Sequence, residues 1–404
     1  MESDQMLFEK FVHETKSWWT EYLTTINNAQ KEGNLLNDGM TVLYPTILVF
    51  TKFENYYMAE LVGASSDFNG LSVKLHKEKS IHRYLNQFDD KNSSSVIHFD
   101  AAFTNLRFLT ISTGEQIDSL KKRFPQIDLN GSILCPIYEP DCTLSFGDNF
   151  ISTGIENSIL INKRKNLTRI KNILSMYIFA KRATKSQVIN LYNNTIKDNE
   201  VKGIHTVDNG DIVKTVVSQF QNMYLQPGLR ETTIGDFIKT HPEIIKLAFN
   251  ARRFEYEPSL EWHEHDGTCQ DKYINPDLMI ENQNGQWDIY DLKTALLNRA
   301  RITKDGRNRR RFIDYVDEGV AQLANYREYF KYKKNQDHAR EKFGIHVSHP
   351  KLVLVVGSWE NFDPDEVSQA SRPLDKSIEF IDYDTFAQLI LGGANRLLKT
   401  PSAS

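Results

Sequence analysis

The feature that most constrains how this 404-residue chain can fold is a turn signal, Asn284-Gly285, that lies between two apolar runs. An Asn-Gly pair flanked by such runs is typical of a β-hairpin. We therefore predict two antiparallel strands, at residues 277–281 and 287–293. Each strand carries acidic residues near the end away from the turn, so the pairing of the strands decides which side chains meet.

Two registers are open for this hairpin. A two-residue turn pairs Asp277 with Leu292 and places Asp277 and Asp291 on opposite faces. A three-residue loop that ends in Gly285 pairs Asp277 directly with Asp291, and glycine adopts the required left-handed conformation at no steric cost. Residues two apart on a strand share a face, so Lys293 would then project beside both carboxylates. We predict this second register.

Two carboxylates at such close range repel each other, which favours a hard divalent cation between them. Mg²⁺ prefers oxygen ligands and often takes only one or two carboxylates, with water and phosphate oxygens completing its shell. We therefore predict Asp277 and Asp291 as ligands of Mg²⁺, with Mn²⁺ as a substitute. Lys293 beside the metal would lower the pKa of an attacking water or stabilise charge in the transition state. This combination predicts phosphodiester hydrolysis.

The order of the elements around the hairpin indicates an α/β (α+β) fold. Thr232 or Thr233 can cap a helix, and strand-like runs follow at 253–257 or 260–265, at 277–281 and at 287–293. A helix at 312–330 and a buried strand at 351–356 come next. The order αβββαβ predicts a mixed central sheet with helices packed on it.

Pro276-Asp277 and Asp291-Leu292-Lys293, in this strand–turn–strand–helix context, resemble the motif of the PD-(D/E)xK nuclease superfamily. The αβββαβ order matches the common core of that superfamily, so the resemblance implies a restriction-endonuclease-like fold for residues 225–404. With His241-Pro242-Glu243 on the leading helix and the run 354–358 after the motif, residues 232–358 look most like the Shedu antiphage-defence nucleases.

This resemblance implies a Mg²⁺-dependent endonuclease that cuts double-stranded DNA in bacterial defence against phage, as a homo-oligomer and by family likeness a tetramer. It implies Asp277, Asp291 and Lys293 as catalytic residues, with Gln322 assisting. Members commonly carry a further Glu on the leading helix, for which Glu243 is the candidate here. The alternative is a binding module that kept the nuclease fold but does not cut, and the intact Asp-Asp-Lys set argues against it.

A strongly basic segment lies between the motif strand and the helix that carries Gln322. It holds seven basic residues and one acid, and its glycine and asparagine suggest a flexible loop. Lys and Arg contacts to phosphates supply most sequence-independent affinity for DNA. We predict DNA contact through Arg299, Arg301, Lys304, Arg307, Arg309, Arg310 and Arg311.

Residues 1–224 are expected to form a separate α+β domain that regulates the nuclease or recognises its substrate. The patterns predict helices at 4–30, 115–124 and 212–224, and strands at 42–50, 57–62, 95–99 and 108–112. Residues 158–197 hold nine Lys/Arg and no acid, and an apolar stripe there predicts a long helix with a basic face. Its basic part, 163–185, could be a second DNA surface or an oligomer contact. Gln226-Pro227-Gly228 marks the predicted domain boundary.

Composition sets the broad class of protein. With 40% hydrophobic and 25% charged residues, wholesale disorder is excluded. The net charge of −4 does not exclude nucleic acid as a partner, because the clustering of basic residues matters there. Three cysteines without a CxxC pair, an N-terminus without a signal pattern and no long apolar run predict a cytoplasmic protein with no membrane partner, and the resemblance implies that the cytoplasm is bacterial.

Overall fold

A computed structural model describes residues 6–35, 39–81, 84, 108–111, 132–135, 149–164, 167–196, 201–267, 271–306 and 309–399. The chain divides into two compact units, Met1–Leu229 (unit 1) and Arg230–Ser404 (unit 2). None of the helices in these ranges has both the length and the apolar character that crossing a bilayer requires.

Unit 1 has three α-helices in its described part: α1 (Phe8–Lys31), α2 (Lys185–Thr195) and α3 (Ile212–Leu225). Its described strands are β1 (Thr41–Leu43), β2 (Ile47–Lys52), β3 (Tyr56–Val62), β4 (Ser72–Lys77), β5 (Phe108–Ile111), β6 (Ser132–Cys135), β7 (Ser152–Arg164), β8 (Leu167–Ala180) and β9 (His205–Val207). Over these residues the main sheet is mixed and seven-stranded, in the order β4-β2-β3-β8-β7-β5-β6, while β1 pairs with β9.

Helices cover both faces of the centre of this sheet. On one face the rings of Phe11 from α1 and Phe179 from β8 lie 5.4 Å apart, within a largely aromatic core. On the other face the backbone N–H of Asn172 in β8 donates to the side chain of Asn222 in α3 at 3.0 Å. A central strand covered on both sides must be largely apolar on both sides, and β8 is buried and apolar from Ile173 to Ala180 except at Ser175.

The predicted long helix at 158–197 is therefore wrong. These residues form the hairpin β7–β8, followed only at Lys185 by helix α2. An apolar run that is buried on both faces fits helical and strand periodicity equally well, so the stripe could not discriminate between them. Helices α1 and α3 and the strands predicted at 42–50, 57–62 and 108–112 are confirmed, the first of these as two strands. The predictions at 95–99 and 115–124 lie outside the described residues.

Unit 2 contains the described helices α4 (Glu231–Thr240), α5 (Pro242–Phe249), α6 (Asp314–Tyr329), α7 (Lys333–Phe343), α8 (Pro364–Ser371) and α9 (Tyr383–Lys399). Its described strands are β10 (Arg253–Tyr256), β11 (Leu260–Glu261), β12 (Tyr273–Ile274), β13 (Leu278–Glu281), β14 (Trp287–Leu292), β15 (Thr303–Gly306), β16 (Arg309–Phe312), β17 (Leu352–Val355) and β18 (Ile378–Ile381).

The central sheet of unit 2 is mixed, as predicted. In the described chain its order is β10-β13-β14-β17-β18. Neighbours are antiparallel from β10 to β14 and parallel from β14 to β18. Of the two alternatives for the first strand, 253–257 joins this sheet as β10, whereas β11 pairs with β12 in a separate ribbon. Leading helices, three antiparallel strands, helix α6 and the parallel strand β17 follow one another along the chain.

Helix α6 is held against the sheet by fully buried apolar side chains. Val316 and Leu323 of α6 share a core cluster with Met279, Ile289 and Leu354 from three neighbouring strands. Burying one such side chain contributes about 1.5–3 kcal/mol. This packing fixes the position of α6 across strands β14 and β17, where the candidate site lies.

Candidate active site

The hairpin β13–β14 has the predicted register. Leu278 pairs with Tyr290, and the loop closes with Gly285 in the left-handed conformation at a φ of 77°. One step further in the same register, Asp277 lies opposite Asp291. The three-residue loop therefore places both carboxylates on one face of the sheet.

Lys293 follows the last residue of β14, and its backbone is held on both sides. Its N–H donates to the carbonyl of Val355 at 2.8 Å, and its carbonyl accepts from the hydroxyl of Tyr383 at 2.5 Å. Its Nζ lies 2.7 Å from Oδ2 of Asp291 and donates to Oε1 of Gln322 at 2.6 Å. The structure thus brings Lys293, Asp291 and Gln322 into direct contact.

Asp277 is anchored to the neighbouring strand. Its Oδ2 accepts from the N–H of Leu292 at 2.6 Å. Burial raises the pKa of the Asp277 carboxyl, against the lowering effects of the Leu292 hydrogen bond and of the Lys293 charge. The negative charges of Glu231 and Glu257 raise this pKa further. Asp277 therefore lies in an acidic environment in which Lys293 is the opposing cation.

Asp291 is the more buried of the two aspartates, with a side chain only 2% exposed. Burial raises its pKa to about 7, against the opposing effect of Lys293, while the charges of Asp277 and Glu231 add to the rise. Within the described residues, Oδ2 of Asp291 accepts no hydrogen bond of ordinary geometry, although Lys293 lies beside it. A buried carboxylate oxygen with unused acceptor capacity is suited to a cation.

Gly319 lets helix α6 approach the site. A Cβ at this position would lie 2.8 Å from Cδ1 of Leu354 and 3.2 Å from Cε of Lys293. Any side chain here would push α6 away from the sheet or displace the lysine. Gln322 lies three residues later on the same helix face, which is why it reaches Lys293.

A third acid, Glu231, lies near the two aspartates and was missed by the sequence analysis. It is the first residue of α4, and its carboxylate accepts a hydrogen bond from the hydroxyl of Tyr315. Its charge raises the pKa values of both Asp277 and Asp291. The available signal was its place at the start of the leading helix, which the predicted cap at Thr232 or Thr233 obscured.

Glu243 has different neighbours. It lies in the first turn of α5, and its Oε1 is 3.0 Å from Nδ1 of His241. The charged neighbours that act on it are His241 and Lys246. Glu243 therefore interacts with His241 at the start of its own helix. The leading-helix acid that lies near Asp277 and Asp291 is Glu231.

Within the basic segment 299–311, strand β15 pairs with strand β16, whereas residues 307 and 308 of the predicted flexible loop lie outside the described residues. Glu366 of α8 holds this hairpin from one side: it lies 2.7 Å from Arg301 and 2.9 Å from Arg310, and its other oxygen accepts from the Thr303 hydroxyl at 2.6 Å. These contacts with Glu366 of α8 hold the described residues of the hairpin in place, and the sequence patterns did not predict them.

The remaining basic residues of this segment differ in their exposure and partners. Lys304 pairs with Asp314. Arg299, Arg309 and Arg311 are exposed, and no ion pair to them occurs among the described residues. Arg307 lies outside the described residues. The described part of the basic segment therefore holds three arginines without an ion pair to a described residue, beside three basic residues that have one.

Asp277 and Asp291 fit a hard cation by the nature of their donors. They offer carboxylate oxygens from adjacent strands, and one of these oxygens is buried with unused acceptor capacity. Over the described residues, no three His, Cys, Asp or Glu side chains are grouped closely enough to hold a metal by themselves. Two carboxylates are nevertheless sufficient for Mg²⁺, which keeps water and substrate phosphate oxygens as its other ligands.

Comparison with known proteins adds one finding for this part of the chain. Residues 228–387 match the family model described as Shedu protein SduA, C-terminal. The match covers less than half of the chain and lies almost wholly in unit 2. No curated protein matches the chain. The family match supports a relationship between the C-terminal part of this chain and the Shedu family.

Proposed function

We propose that unit 2 is a metal-dependent DNA endonuclease of the PD-(D/E)xK type that acts in antiphage defence. The observation that carries the proposal is the cluster in which Asp277 lies opposite Asp291 while Lys293 contacts both Asp291 and Gln322. The order of elements in the mixed sheet and the Shedu family match support it.

In this proposal Asp277 and Asp291 hold Mg²⁺ or Mn²⁺. When bound, such an ion supplies Lewis acidity and makes a coordinated water easier to deprotonate. Lys293 opposes the rise in the pKa of Asp291 and so favours the ionised carboxylate that a cation needs. Its ammonium also lies where it can stabilise the negative charge that develops on phosphate oxygens. Gln322 accepts from Nζ and fixes the direction of the lysine side chain.

The hairpin β15–β16 would bind the DNA backbone. Arg299, Arg309 and Arg311 are exposed, and the hairpin follows the site strand closely along the chain. Neutralising phosphates in this way gives affinity without sequence preference. We propose that the paired residues Arg301, Lys304 and Arg310 also contact the DNA backbone. The acidic residues that pair with them would then compete with the DNA phosphates.

Unit 1 would restrict or recognise the substrate, because an unregulated nuclease would damage the genome of its own cell. We further propose that the chain acts on double-stranded DNA as a homo-oligomer, a tetramer, in the bacterial cytoplasm. Closed symmetry is the general expectation for such an assembly.

A cleavage assay on plasmid and linear DNA tests the proposal. The unaltered chain is expected to cut with Mg²⁺ and not with EDTA. Asp277→Asn and Lys293→Met should each lower the rate by at least about 10²-fold, as removal of a transition-state contact does elsewhere. Lys333→Ala is the control, because Lys333 is exposed and pairs with Asp337 on its own helix.

Binding without cutting, with either metal and with every form of DNA, would contradict the nuclease proposal. It would instead support the alternative of a nucleic-acid-binding module on a nuclease fold. Equal cutting by Lys293→Met and by the unaltered chain would also contradict it.

A further inference from the structure

The hydroxyl of Tyr315 joins two segments that border the acidic cluster. It donates to the carboxylate of Glu231 at the start of α4 and accepts the N–H of Thr294 at 3.2 Å. Thr294 is the residue directly after Lys293. A single side chain on α6 therefore connects the N-terminus of α4 to the chain that carries the lysine.

Tyr315 lies on the face of α6 that forms the site. Positions 315, 319 and 322 follow one another at helical spacing on one side of the helix. Gly319 approaches Lys293, and Gln322 accepts from its Nζ. Tyr315 thus extends the same contact surface by one turn, toward Glu231.

The hydroxyl remains a donor at neutral pH. Burial raises the pKa of Tyr315 to about 12, and the hydrogen bond to Glu231 adds to the rise. A protonated tyrosine can donate one hydrogen bond and accept another, which is how it is used here.

Glu231 needs such a tether to act on the cluster. A glutamate has three rotatable side-chain bonds, and this one is only partly buried. The hydroxyl of Tyr315 holds it beside Thr294, the residue directly after Lys293. Groups that orient the acids around a metal commonly matter almost as much as the ligands.

We infer that Tyr315 is a positioning residue that holds Glu231 toward the Asp277–Asp291 pair and so strengthens the binding of a divalent cation. The inference rests on the proposed function. It adds a residue that acts on the site through Glu231.

Calorimetric titration of the full-length chain with Mn²⁺, without DNA, tests the inference. Tyr315→Phe is expected to weaken Mn²⁺ binding by about tenfold or more. Tyr329→Phe is the matched control: it lies on the same helix and loses one hydrogen bond, to the carbonyl of Glu261. It should bind Mn²⁺ like the unaltered chain. Thermal unfolding without metal should show some loss of stability in both variants, because each removes a hydroxyl that is hydrogen-bonded in the folded chain.

A double-mutant comparison separates positioning from general disturbance. According to the inference, Tyr315 affects Mn²⁺ binding only through Glu231. Once Glu231 has been replaced by alanine, adding Tyr315→Phe should therefore cause no further loss of Mn²⁺ affinity. Full additivity of the two substitutions would overturn the inference.

The remaining outcomes distinguish the two proposals. If Asp277→Asn weakens Mn²⁺ binding while Tyr315→Phe and Tyr329→Phe match the unaltered chain, the role of Tyr315 is refuted and the metal site stands. If the unaltered chain binds no Mn²⁺, the inference falls together with the metal site on which it rests.

Discussion

Nζ of Lys293 lies 2.7 Å from Oδ2 of Asp291, two residues earlier in the chain, and both side chains are almost fully buried. Burying two charges costs more desolvation energy than their attraction usually returns, so a buried ion pair is a poor device for stability. The position of this ion pair beside Asp277 therefore fits a role in the proposed reaction better than a contribution to folding stability. The protonation state of Asp291 is then the property most open to measurement.

The contribution of Asp291 to the stability of the metal-free protein should fall as the pH rises from about 4 to about 7. Asp291 has an ordinary pKa of 3.8 and a pKa of about 7 in the folded chain. Between these values the folded state holds a proton that the unfolded state has lost, so its contribution to stability declines by up to about 1.4 kcal/mol per pH unit. Urea unfolding in EDTA across this range measures the decline.

Asp291→Asn is the control for this pH dependence. The amide does not titrate, so the difference in unfolding free energy between the variant and the unaltered chain should change across the window. A constant difference would contradict a raised pKa for Asp291.

Removing the lysine charge should raise the pKa of Asp291 above about 7. Lys293 is the group that opposes the effect of burial, and methionine keeps most of its volume without the charge. Carboxyl carbon NMR of metal-free Lys293→Met measures the shift. Lys351→Met, which removes an exposed lysine paired with Glu379, should leave the titration of Asp291 as it is. A lower pKa in Lys293→Met would refute the ion pair.

Gly319→Ala should impair both stability and cutting. The new methyl group would meet Leu354 at 2.8 Å and Lys293 at 3.2 Å, and overpacking of this kind costs about 1–3 kcal/mol. Gly392→Ala on α9 offers the opposite case, because nothing lies within 4 Å of its Cβ. That substitution should gain up to about 1 kcal/mol from helix propensity. Denaturant midpoints and cleavage rates of both variants are compared with those of the unaltered chain. If Gly319→Ala were as stable as the unaltered chain, α6 would not need a glycine at this position.

Glu366→Gln should strengthen DNA binding. The substitution removes the charge that pairs with Arg301 and Arg310, which frees Arg301 for phosphates and leaves Arg310 paired with Asp305 at 2.9 Å. The slope of log affinity against log salt should become steeper by about 1, since each additional neutralised phosphate contributes about 0.9. Arg309→Ala, which removes an exposed arginine, should make the slope shallower by about 1.

Fluorescence anisotropy over a salt series measures both slopes. Glu379→Gln is the control, since Glu379 pairs with Lys351 outside the hairpin. Weaker binding by Glu366→Gln would mean that this acid serves DNA binding by holding the hairpin in place.

The sequence was sufficient where a local rule fixed the geometry. Gly285 can adopt the left-handed conformation that a three-residue loop needs at its last position, and this favoured the register in which Asp277 faces Asp291. The same reasoning identified Lys293, because strand alternation is strict. The contact between Lys293 and Gln322 depends on α6, whose apolar face was readable at helical spacing.

It was insufficient where tertiary packing decides. The strand β8 is apolar on both faces, and only the two helices that cover it distinguish it from a helix. The choice between Glu231 and Glu243 depends on which end of the leading helices approaches the sheet, and spacing along the chain does not encode that direction. The order of the basic hairpin comes from Glu366, more than fifty residues beyond it.

The backbone of Lys293 is held by Val355 on the next strand and by Tyr383 at the start of the last helix. Both arrive long after the two aspartates during synthesis, because β17 and α9 are among the last elements of unit 2. A nascent chain therefore contains Asp277 and Asp291 before it contains Val355 and Tyr383, which hold the backbone of Lys293. Translation therefore completes these supports only when most of unit 2 has been made, and a product that ends before Tyr383 lacks one of them.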